Sequence, residues 1–462
     1  MQGFDCHPYI PNSSPETRAE MLRYLGLSSL EELHAEIPDE IKLKDKMNLP
    51  EPMVSEFELR RHVERVLSKN ITAREYICFL GGGCAEHFIP AVCDEINGRG
   101  EFLTAYGGEP YNDFGRFQSL FEYQSLVAEL VNMDVVNVPA MDWGQAAATG
   151  IRMACRMTGR RTALVSGTMS PERLAIVRNY CAPDIEIMSF KYSPETGEID
   201  LADLEARLTD STACVYFENP SYLGFFETQG QTIADLTHSN GAELIVGVDP
   251  ISLGVIAPPP DYGADIVCGD LQPLGMHMNY GGGQSGFIAT RDEERYVMEY
   301  PSRLFGICAT SEPGEYGFSD VAYDRTSFGH HRHEAKEFVG TQTALWGITA
   351  GVYLSLMGPK GMREVGETIL QKAAYARREI SSLRGVKVRF GDGFKEFTVD
   401  FTQTGKTVSD INKALLERGI FGGTDLSKQF PELSQAALYC VTEVRTKGEI
   451  DKLVAALREV TA

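Results

Sequence analysis

The residues able to carry chemistry gather around a strand that ends in an acid. The apolar run Leu244 to Val248 is followed by Asp249, a second apolar run covers Ala264 to Cys268, and Gly281-Gly282-Gly283 comes next. This order is typical of chains that hold pyridoxal phosphate, in which the acid pairs with the pyridinium nitrogen and the glycines let the backbone approach. That chemistry also needs a lysine downstream of the acid.

The expected lysine is missing from this stretch. No lysine occurs between Tyr192 and Ala335, and Lys336 is the first one after the gap. Since an imine needs a primary amine, we predict the scaffold of a pyridoxal-phosphate chain without its nucleophile. Imine formation at a relocated Lys336 stays open, although the cofactor geometry would then have to be rebuilt.

The elements that must position Asp249 follow an alternating pattern. From about Tyr76 to Arg303, apolar strands alternate with helical segments, which predicts an α/β fold with a mostly parallel sheet covered by helices on both faces. The predicted strands are Thr162 to Val165, Ile185 to Phe190, Ala213 to Phe217, Leu244 to Val248 and Ile266 to Cys268.

Three domains are predicted along the chain: an N-terminal helical arm at 1–70, a large α/β domain at 71–330 and a small C-terminal α+β domain at 331–462. In the arm, Ser14-Pro15-Glu16-Thr17 and Ser28-Ser29-Leu30-Glu31-Glu32 resemble two helix starts. Gly358-Pro359 predicts a helix end between two helical runs. The other small-domain elements are strands Val386 to Arg389, Glu396 to Phe401 and Ala437 to Cys440, and helices Val408 to Arg418 and Lys447 to Val460.

Composition excludes several classes of function. The 462 residues are 43% hydrophobic and 23% charged, with a formal charge of -22, which disfavours nucleic-acid and anionic-membrane surfaces. The ten cysteines are dispersed without a CxxC pair, so we expect reduced thiols. No apolar run approaches the roughly 20 residues of a membrane helix, and we expect a cytoplasmic protein.

Two glycine-rich segments have more than one interpretation. Tyr106, Glu109, Tyr111 and Arg116 lie together in one segment, either as the rim of a site or as a packed loop. Gly81-Gly82-Gly83 lacks the spacing of a dinucleotide fingerprint or a P-loop, so a tight turn is favoured over a phosphate cradle.

The run His330-His331-Arg332-His333-Glu334 suggests a metal at first sight. Adjacent histidines cannot all converge on one ion, and the i, i+4 pair of a zincin is absent, so we predict no metal site. A basic loop that contacts a carboxylate or phosphate and a solvated loop both remain open. Hydrolase chemistry has little support because no nucleophile elbow occurs.

Nearly the whole chain resembles one family, the P-protein or glycine decarboxylase of the glycine cleavage system. Within this family, it resembles the alpha subunit of the two-chain form. The matching segments are Pro8-Tyr9-Ile10-Pro11-Asn12, Phe102-Leu103-Thr104-Ala105-Tyr106, Phe121-Glu122-Tyr123-Gln124, Val248-Asp249-Pro250-Ile251-Ser252-Leu253-Gly254, Leu354-Ser355-Leu356-Met357-Gly358-Pro359, Gly419-Ile420-Phe421-Gly422-Gly423 and Val441-Thr442-Glu443-Val444-Arg445-Thr446-Lys447.

The resemblance implies fold type I of pyridoxal-phosphate-dependent transferases and an alpha2beta2 assembly whose Schiff-base lysine belongs to the beta chain. Where that chain has a His-Lys pair, this one reads Gln272-Pro273. Asp249 is then a relic of a cofactor-binding ancestor. The site residues predicted on this basis are Tyr106, Glu109, Arg116, His277 and Arg332 as catalytic, and Asp249, Gln272, Gly281, Gly282 and Gly283 as cofactor-binding.

The implied reaction is the decarboxylation of glycine, with the aminomethyl group passed to the lipoyl arm of a carrier protein. Pyridoxal 5'-phosphate would be held covalently by the beta subunit, so this chain would supply shape, closure and partner contacts and be inert alone. Partners would be the beta subunit, the lipoyl carrier and a small amino acid.

Three segments depart from the family's pattern, and they lie where site or interface residues are expected. They are Gly107-Gly108-Glu109-Pro110-Tyr111, Asp270-Leu271-Gln272-Pro273-Leu274-Gly275-Met276-His277 and Ala335-Lys336-Glu337-Phe338-Val339-Gly340-Thr341. A diverged paralogue acting on another small amino acid or acceptor is therefore an alternative. So is a non-catalytic scaffold subunit.

Overall fold

The computed structural model describes residues 9–10, 12–45, 47–103, 114–281, 284–326, 333, 335–337 and 342–462. It divides into two compact units, Met1–Ile71 and Thr72–Ala462. The predicted division into an arm at 1–70, a large domain at 71–330 and a small domain at 331–462 stays a prediction.

Among its described residues, the first unit contains two short α-helices. Helix α1, Pro15–Leu25, begins as predicted, because Ser14 caps the backbone N–H of Thr17 at 3.2 Å and Gly26 ends the helix at φ 72°. The second predicted helix is wrong: Glu31–His34 forms one 3₁₀ turn, and Pro38 disfavours helical conformation just beyond it. Helix α2 is Glu56–Leu67, and neither α-helix buries a residue.

The second unit contains fifteen strands and eleven α-helices among its described residues. The strands are β1 Ile77–Cys78, β2 Val135–Val136, β3 Thr162–Ser166, β4 Glu186–Phe190, β5 Thr212–Glu218, β6 Glu243–Val248, β7 Ile266–Asp270, β8 Gly286–Thr290, β9 Leu304–Ala309, β10 Tyr316–Val321, β11 Lys387–Val388, β12 Glu396–Asp400, β13 Ile420–Phe421, β14 Thr424–Asp425 and β15 Ala436–Cys440. The helices are α3 Ala91–Asn97, α4 Gly100–Leu103, α5 Phe114–Val131, α6 Trp143–Thr158, α7 Pro171–Cys181, α8 Leu201–Arg207, α9 Gly230–Ser239, α10 Glu294–Val297, α11 Ala344–Ser381, α12 Val408–Leu416 and α13 Lys447–Thr461.

A seven-stranded sheet forms the centre of this unit, in the order β2-β8-β7-β6-β5-β3-β4. The five strands from β4 through β7 run parallel, and only β8 and β2 pair in the antiparallel sense. All five strands predicted from the sequence are present. Every residue of β3, β5 and β6 is buried, as expected for parallel strands covered on both faces.

Two hydrophobic clusters cover the two faces of this sheet. Along β6, Ile245 belongs to the cluster that contains the alanine-rich face of α6, whereas Leu244 and Val246 belong to the cluster that contains residues of α5, α9 and α11. Since successive strand residues point to opposite faces, one apolar strand serves both layers. The parallel strands are thereby held rigidly, with their carboxyl ends at one edge.

A smaller antiparallel sheet, β11-β12-β15-β14, lies in the C-terminal part. It shares a core with α12, α13 and the second half of α11. Within α11 the backbone leaves helical geometry at Gly358, where φ is 58° and Pro359 follows, so the predicted break between two helical runs is confirmed. The strands and helices predicted after it are also present.

Helices that could span a membrane were sought in the described part of the chain, and none is long and apolar enough. The nine cysteines within that part are all free thiols.

Candidate functional site

The carboxyl ends of the parallel strands open into a cavity of about 360 Å³. Parallel sheets bind ligands at this edge because successive loops meet there. The loops after β3, β5, β6 and β7 and the N-termini of α6 and α7 line the cavity, together with Gly82, Gly83, Phe394, Lys395 and Glu396. The large sheet and the C-terminal part therefore build one site.

Asp249 lies where β6 ends and makes two contacts. Its Oδ1 accepts a hydrogen bond from the backbone N–H of Ile251 at 2.9 Å, which caps the short 3₁₀ helix Pro250–Gly254. Its Oδ2 lies 2.6 Å from Nζ of Lys395, and both side chains are 10% exposed. The strand-end acid is therefore a cap and one half of a buried ion pair.

Lys395 is held as a protonated amine. Burial by itself would lower its pKa, but the negative charge of Asp249, with smaller contributions from Cys440 and Glu396, outweighs it and raises the pKa. Nζ also lies 3.4 Å from Nε2 of His87. An ammonium group with a raised pKa is a poor nucleophile, because the lone pair is occupied by a proton.

A second charged pair joins Arg173 of the cavity lining to Glu218. Arg173, from the first turn of α7, donates from Nε and from an Nη group to the two carboxylate oxygens of Glu218, each at 2.7 Å. The guanidinium also lies 4.0 Å from the ring centroid of Trp143. A bidentate pair stacked on an aromatic ring holds Arg173 in place.

Asp270 and Glu396 are the less completely neutralised carboxylates of the lining. Burial raises the pKa of Asp270 to about 6, and the Gln272 backbone N–H and Lys395 offset only part of this effect. Burial likewise raises the pKa of Glu396, whose Oε1 accepts from the Gly82 N–H at 2.6 Å. Gly82 has φ 86°, so the glycine triplet forms the predicted turn, and its N–H is bound by a carboxylate.

The N-terminus of α6 also faces the cavity. Asp142 is its N-cap residue, and Oδ1 accepts from the backbone N–H of Gln145 at 2.7 Å. Glu172 lies in the first turn of α7, which reaches the same cavity. Both helix N-termini therefore carry a carboxylate where their partial positive charge would attract an anion.

Pyridoxal phosphate, the cofactor expected from the sequence, does not fit this lining. The volume lies in the ordinary range for ligand sites, about 300–1,000 Å³, so size is no obstacle. The charges are the obstacle. Asp249, which would pair with the pyridinium nitrogen, is engaged by Lys395, and Arg173 is engaged by Glu218. The two helix N-termini carry the carboxylates of Asp142 and Glu172.

Three residues predicted to bind the cofactor gather at the cavity, namely Asp249, Gln272 and Gly281. Gln272 is 2% exposed, and its side-chain amide donates to the carbonyl oxygens of Ala85 and Met276 at 3.1 and 2.9 Å. It therefore supports the loop after β7. Gly282 and Gly283 lie outside the described residues.

The predicted catalytic residues that are described do not line this cavity. Nε of Arg116 donates to the carbonyl oxygen of Glu101 at 2.7 Å, and His277 lies 2.9 Å from Asp94 with half of its side chain exposed. Tyr106, Glu109 and Arg332 lie outside the described residues. The roles of all five stay predictions.

Lys336 does not lie at the cavity either. Its Nζ is 3.4 Å from Oε1 of Glu299, in a cluster that also contains Arg156 and Glu337. The side chain is 31% exposed and ion-paired. A relocated imine at this lysine therefore has no structural support.

Sequence reasoning missed Lys395, Arg173 and Asp142. Lys395 precedes an alternating strand far from Asp249 in the chain, and no local pattern links the two. Asp142 had a usable signal, because an acid directly before a helical run is a typical N-cap. Groups of three or more His, Cys, Asp and Glu side chains able to hold a metal were sought in the described residues, and none was found.

Comparison with known proteins covers nearly the whole chain. Residues 7–457 match the family model of the glycine cleavage system P-protein. A chain named "Probable glycine dehydrogenase (decarboxylating) subunit 1" from Staphylothermus marinus is 37% identical, over 99% of this chain and 98% of its own. Chains of the same name from Pyrococcus abyssi and Carboxydothermus hydrogenoformans are 38% and 39% identical, each covered over 99% of its length.

Solved structures agree with this match. A crystal structure of glycine decarboxylase (P-protein) of the glycine cleavage system, in inhibitor-bound form, is 33% identical, with a TM-score of 0.87 over 99% of this chain and 100% of that one. A sphingosine-1-phosphate lyase from Burkholderia pseudomallei shares the fold at 14% identity, with a TM-score of 0.65 over 92% and 94%. The expected fold type I is confirmed. The chain belongs to the glycine cleavage system P-protein family.

Proposed function

We propose that this chain is the alpha subunit of a pyridoxal-phosphate-dependent glycine decarboxylase and that it completes an active site carried by a beta subunit. The supporting comparison is the match of residues 7–457 to the P-protein family together with full-length relatives named subunit 1. The product step of the proposal is transfer of the aminomethyl group to a lipoyl carrier protein.

The observation that carries the proposal is the state of the chain's own cavity. Asp249 is paired with Lys395, and Gln272-Pro273 replaces the expected lysine position. A chain with this lining needs another chain to supply the imine lysine and the cofactor. When bound to the partner, pyridoxal phosphate would supply the electron sink for the loss of CO2.

The first unit supports the need for a partner. On α2, Leu59, Val63, Val66 and Leu67 follow the i, i+4, i+7, i+8 spacing of an apolar stripe, yet they are 46%, 43%, 49% and 56% exposed. A helix this short is marginal in water unless its apolar face is covered. We propose that the beta subunit covers this stripe.

Our candidates for contacts with substrate or partner are Tyr106, Glu109, Arg116, His277 and Arg332. Arg116 and His277 are anchored by Glu101 and Asp94. Arginine suits recognition of the carboxylate of a small amino acid, because its planar fork matches two oxygens. A cytoplasmic location completes the proposal, supported by the acidic composition and the free thiols.

A diverged paralogue acting on another small amino acid is the second candidate. The observation that favours it is that one departing segment, Asp270 to His277, supplies Asp270, Gln272 and Pro273 to the cavity lining. A change of the residues that line the cavity here would change the shape and charge of the site. Substrate competition between glycine and alanine or serine separates the two candidates.

The test is borohydride reduction of the co-expressed complex with pyridoxal phosphate, followed by peptide mapping. Release of CO2 from carboxyl-labelled glycine is measured in parallel, with a lipoyl acceptor. Label confined to the partner's lysine, together with glycine turnover, supports the proposal. Label on this chain overturns it, and turnover of another amino acid in place of glycine selects the paralogue.

Substitution distinguishes a catalytic subunit from a scaffold. We expect Arg116→Gln and His277→Asn to lower turnover while the complex still assembles, as judged by size-exclusion chromatography. Arg378→Gln is the matched control, because its side chain is 72% exposed and contacts Glu379 and the Tyr375 ring on its own helix. Unchanged turnover in both test variants would favour the scaffold.

A further inference from the structure

We propose that this chain fills its own cofactor pocket with two of its side chains: the Lys395 ammonium stands where a pyridinium nitrogen would meet Asp249, and the Asp142 carboxylate stands where a phosphate would meet the N-terminus of α6. The inference rests on the family fold and the contacts of the cavity. It does not depend on the substrate assigned under the proposed function.

The cation end of the pocket is closed by geometry. Asp249 has two carboxylate oxygens, of which Oδ1 accepts from the Ile251 N–H and Oδ2 contacts Lys395 at 2.6 Å. A free pyridinium must displace an ammonium that is tethered to the same chain. The tethered group is favoured because it loses no translational freedom on binding.

The backbone keeps Lys395 at this place. The carbonyl oxygen of Lys395 accepts from the Val441 N–H at 2.8 Å, and the neighbouring Thr398 hydroxyl donates to the carbonyl oxygen of Leu223 at 2.8 Å. The first bond holds Lys395 against the end of β15 in the small sheet, and the second ties β12 to the loop after β5. The Lys395 side chain therefore enters the pocket from an ordered strand.

The anion end is closed by like charge. A phosphate at the N-terminus of α6 would need the backbone N–H groups of its first turn. The Gln145 N–H is already donated to Asp142, and the carboxylate repels a second anion at the same point. Glu172 adds a negative charge on α7, and the Arg173 guanidinium that could offset it donates from Nε and one Nη group to Glu218.

The rest of the lining makes the exclusion specific for this class of ligand. Asp270 and Glu396 add carboxylates near the same ion pair. A cofactor that carries a phosphate meets acids at its anionic end and an ammonium at its cationic end. Such a cofactor therefore meets like charge at its phosphate end, and at its pyridinium end the acid that it needs is already paired with Lys395.

The test uses the full-length chain without its partner. Pyridoxamine 5'-phosphate is the probe, because it keeps the pyridine and the phosphate and cannot form an imine with a lysine. Binding is followed by isothermal titration calorimetry and by the fluorescence of the probe. Wild type is expected to show no saturable binding, and saturable binding by wild type would overturn the inference.

Two substitutions should open the pocket. Lys395→Ala frees Asp249 and should make binding of the probe saturable, because one charge-assisted hydrogen bond changes affinity by about tenfold to a hundredfold. The double variant with Asp142→Asn should bind more tightly still. The control Lys191→Ala removes an exposed lysine 3.9 Å from Asp203 and should not bind.

Folding and imine formation need separate measurements. Lys395→Arg keeps the cation and should fold without binding the probe; if it binds as the alanine variant does, the inference is wrong. Borohydride treatment of wild type with pyridoxal phosphate should leave Lys395 unlabelled. A label there would mean a relocated imine and would overturn this inference, whereas glycine turnover by the complex tests the proposed function independently.

Discussion

The cavity and the first unit differ in which side chains are buried and which are exposed to water. At the cavity, charged side chains are largely withdrawn from water, and partners on the same chain neutralise Asp249 and Glu218. In the first unit, an apolar stripe on α2 is left in water. The first region is complete in itself, and the second needs another surface.

The difference shows how one chain of a divided enzyme is built. Burying an unpaired charge costs far more than exposing an apolar side chain, so the buried carboxylate of Asp249 needs a cation such as Lys395. Exposed apolar area is tolerated while it awaits a partner. The two regions match the proposed subunit, which closes its own pocket and binds its partner through the stripe.

The largest expected effect comes from breaking the closed pocket. Lys395→Ala leaves Asp249 as an uncompensated carboxylate that is 8% exposed, so we expect the free energy of unfolding to fall by about 3–5 kcal/mol. Chemical denaturation of the isolated chain measures it. Lys191→Ala removes an exposed pair and should change stability by about 0–1 kcal/mol; equal losses in both variants would show that the buried pair has no special role.

The second prediction breaks the other side of the comparison. Val63→Ser and Leu67→Ser on α2 should leave the stability of the isolated chain within about 0.5 kcal/mol, because both side chains are already exposed. Binding to the beta subunit should weaken by about tenfold or more if the stripe is an anchor. Surface plasmon resonance measures the affinity, with Arg65→Ser on the opposite face of α2 as control. Unchanged affinity would place the partner elsewhere.

A pH titration sharpens the description of the cavity. Burial raises the pKa of Asp270 from 3.8 to about 6, so between these values the folded chain binds more protons than the unfolded chain. Stability should therefore fall as pH rises through this window, by roughly 1–2 kcal/mol after allowance for relaxation around the carboxyl group. Asp270→Asn should flatten that part of the profile.

The control for this titration is Asp203, whose pKa is shifted in the opposite direction. Hydrogen bonds from Arg207 lower the pKa of Asp203, so its contribution to stability is lost as pH falls. Asp203→Asn should lower the melting temperature at pH 7 and have less effect at low pH. A profile that Asp270→Asn leaves unchanged would mean that Asp270 is more hydrated than its burial indicates.

The smallest expected effect is at Lys336. Its ion pair with Glu299 is partly exposed, so Lys336→Ala should cost about 0–1 kcal/mol of stability. Borohydride labelling of the complex should be unchanged. Loss of label in this variant would restore the alternative of a relocated imine lysine. It would also remove the contrast between this chain and the proposed lysine-bearing beta subunit.

Much of the fold was readable from the sequence because its signals are local. Apolar runs such as Leu244 to Val248 became buried strands, since only a fully covered sheet accommodates such runs. Ser14 with Pro15, and Gly358 with Pro359, acted through their own backbone preferences. The 3₁₀ turn at Glu31–His34 was misread because Pro38, just beyond it, disfavours helical conformation.

The candidate site was only half readable. By itself, the sequence determined that Asp249 ends a strand, that the expected lysine is absent and that Gln272 stands in its region. Only the tertiary structure decided that Lys395 neutralises Asp249 and that Arg173 is bound to Glu218. The physical reason is that ion pairs between distant segments depend on how the sheets pack, and Coulomb attraction at 2.6 Å leaves no trace in the spacing of residues along the chain.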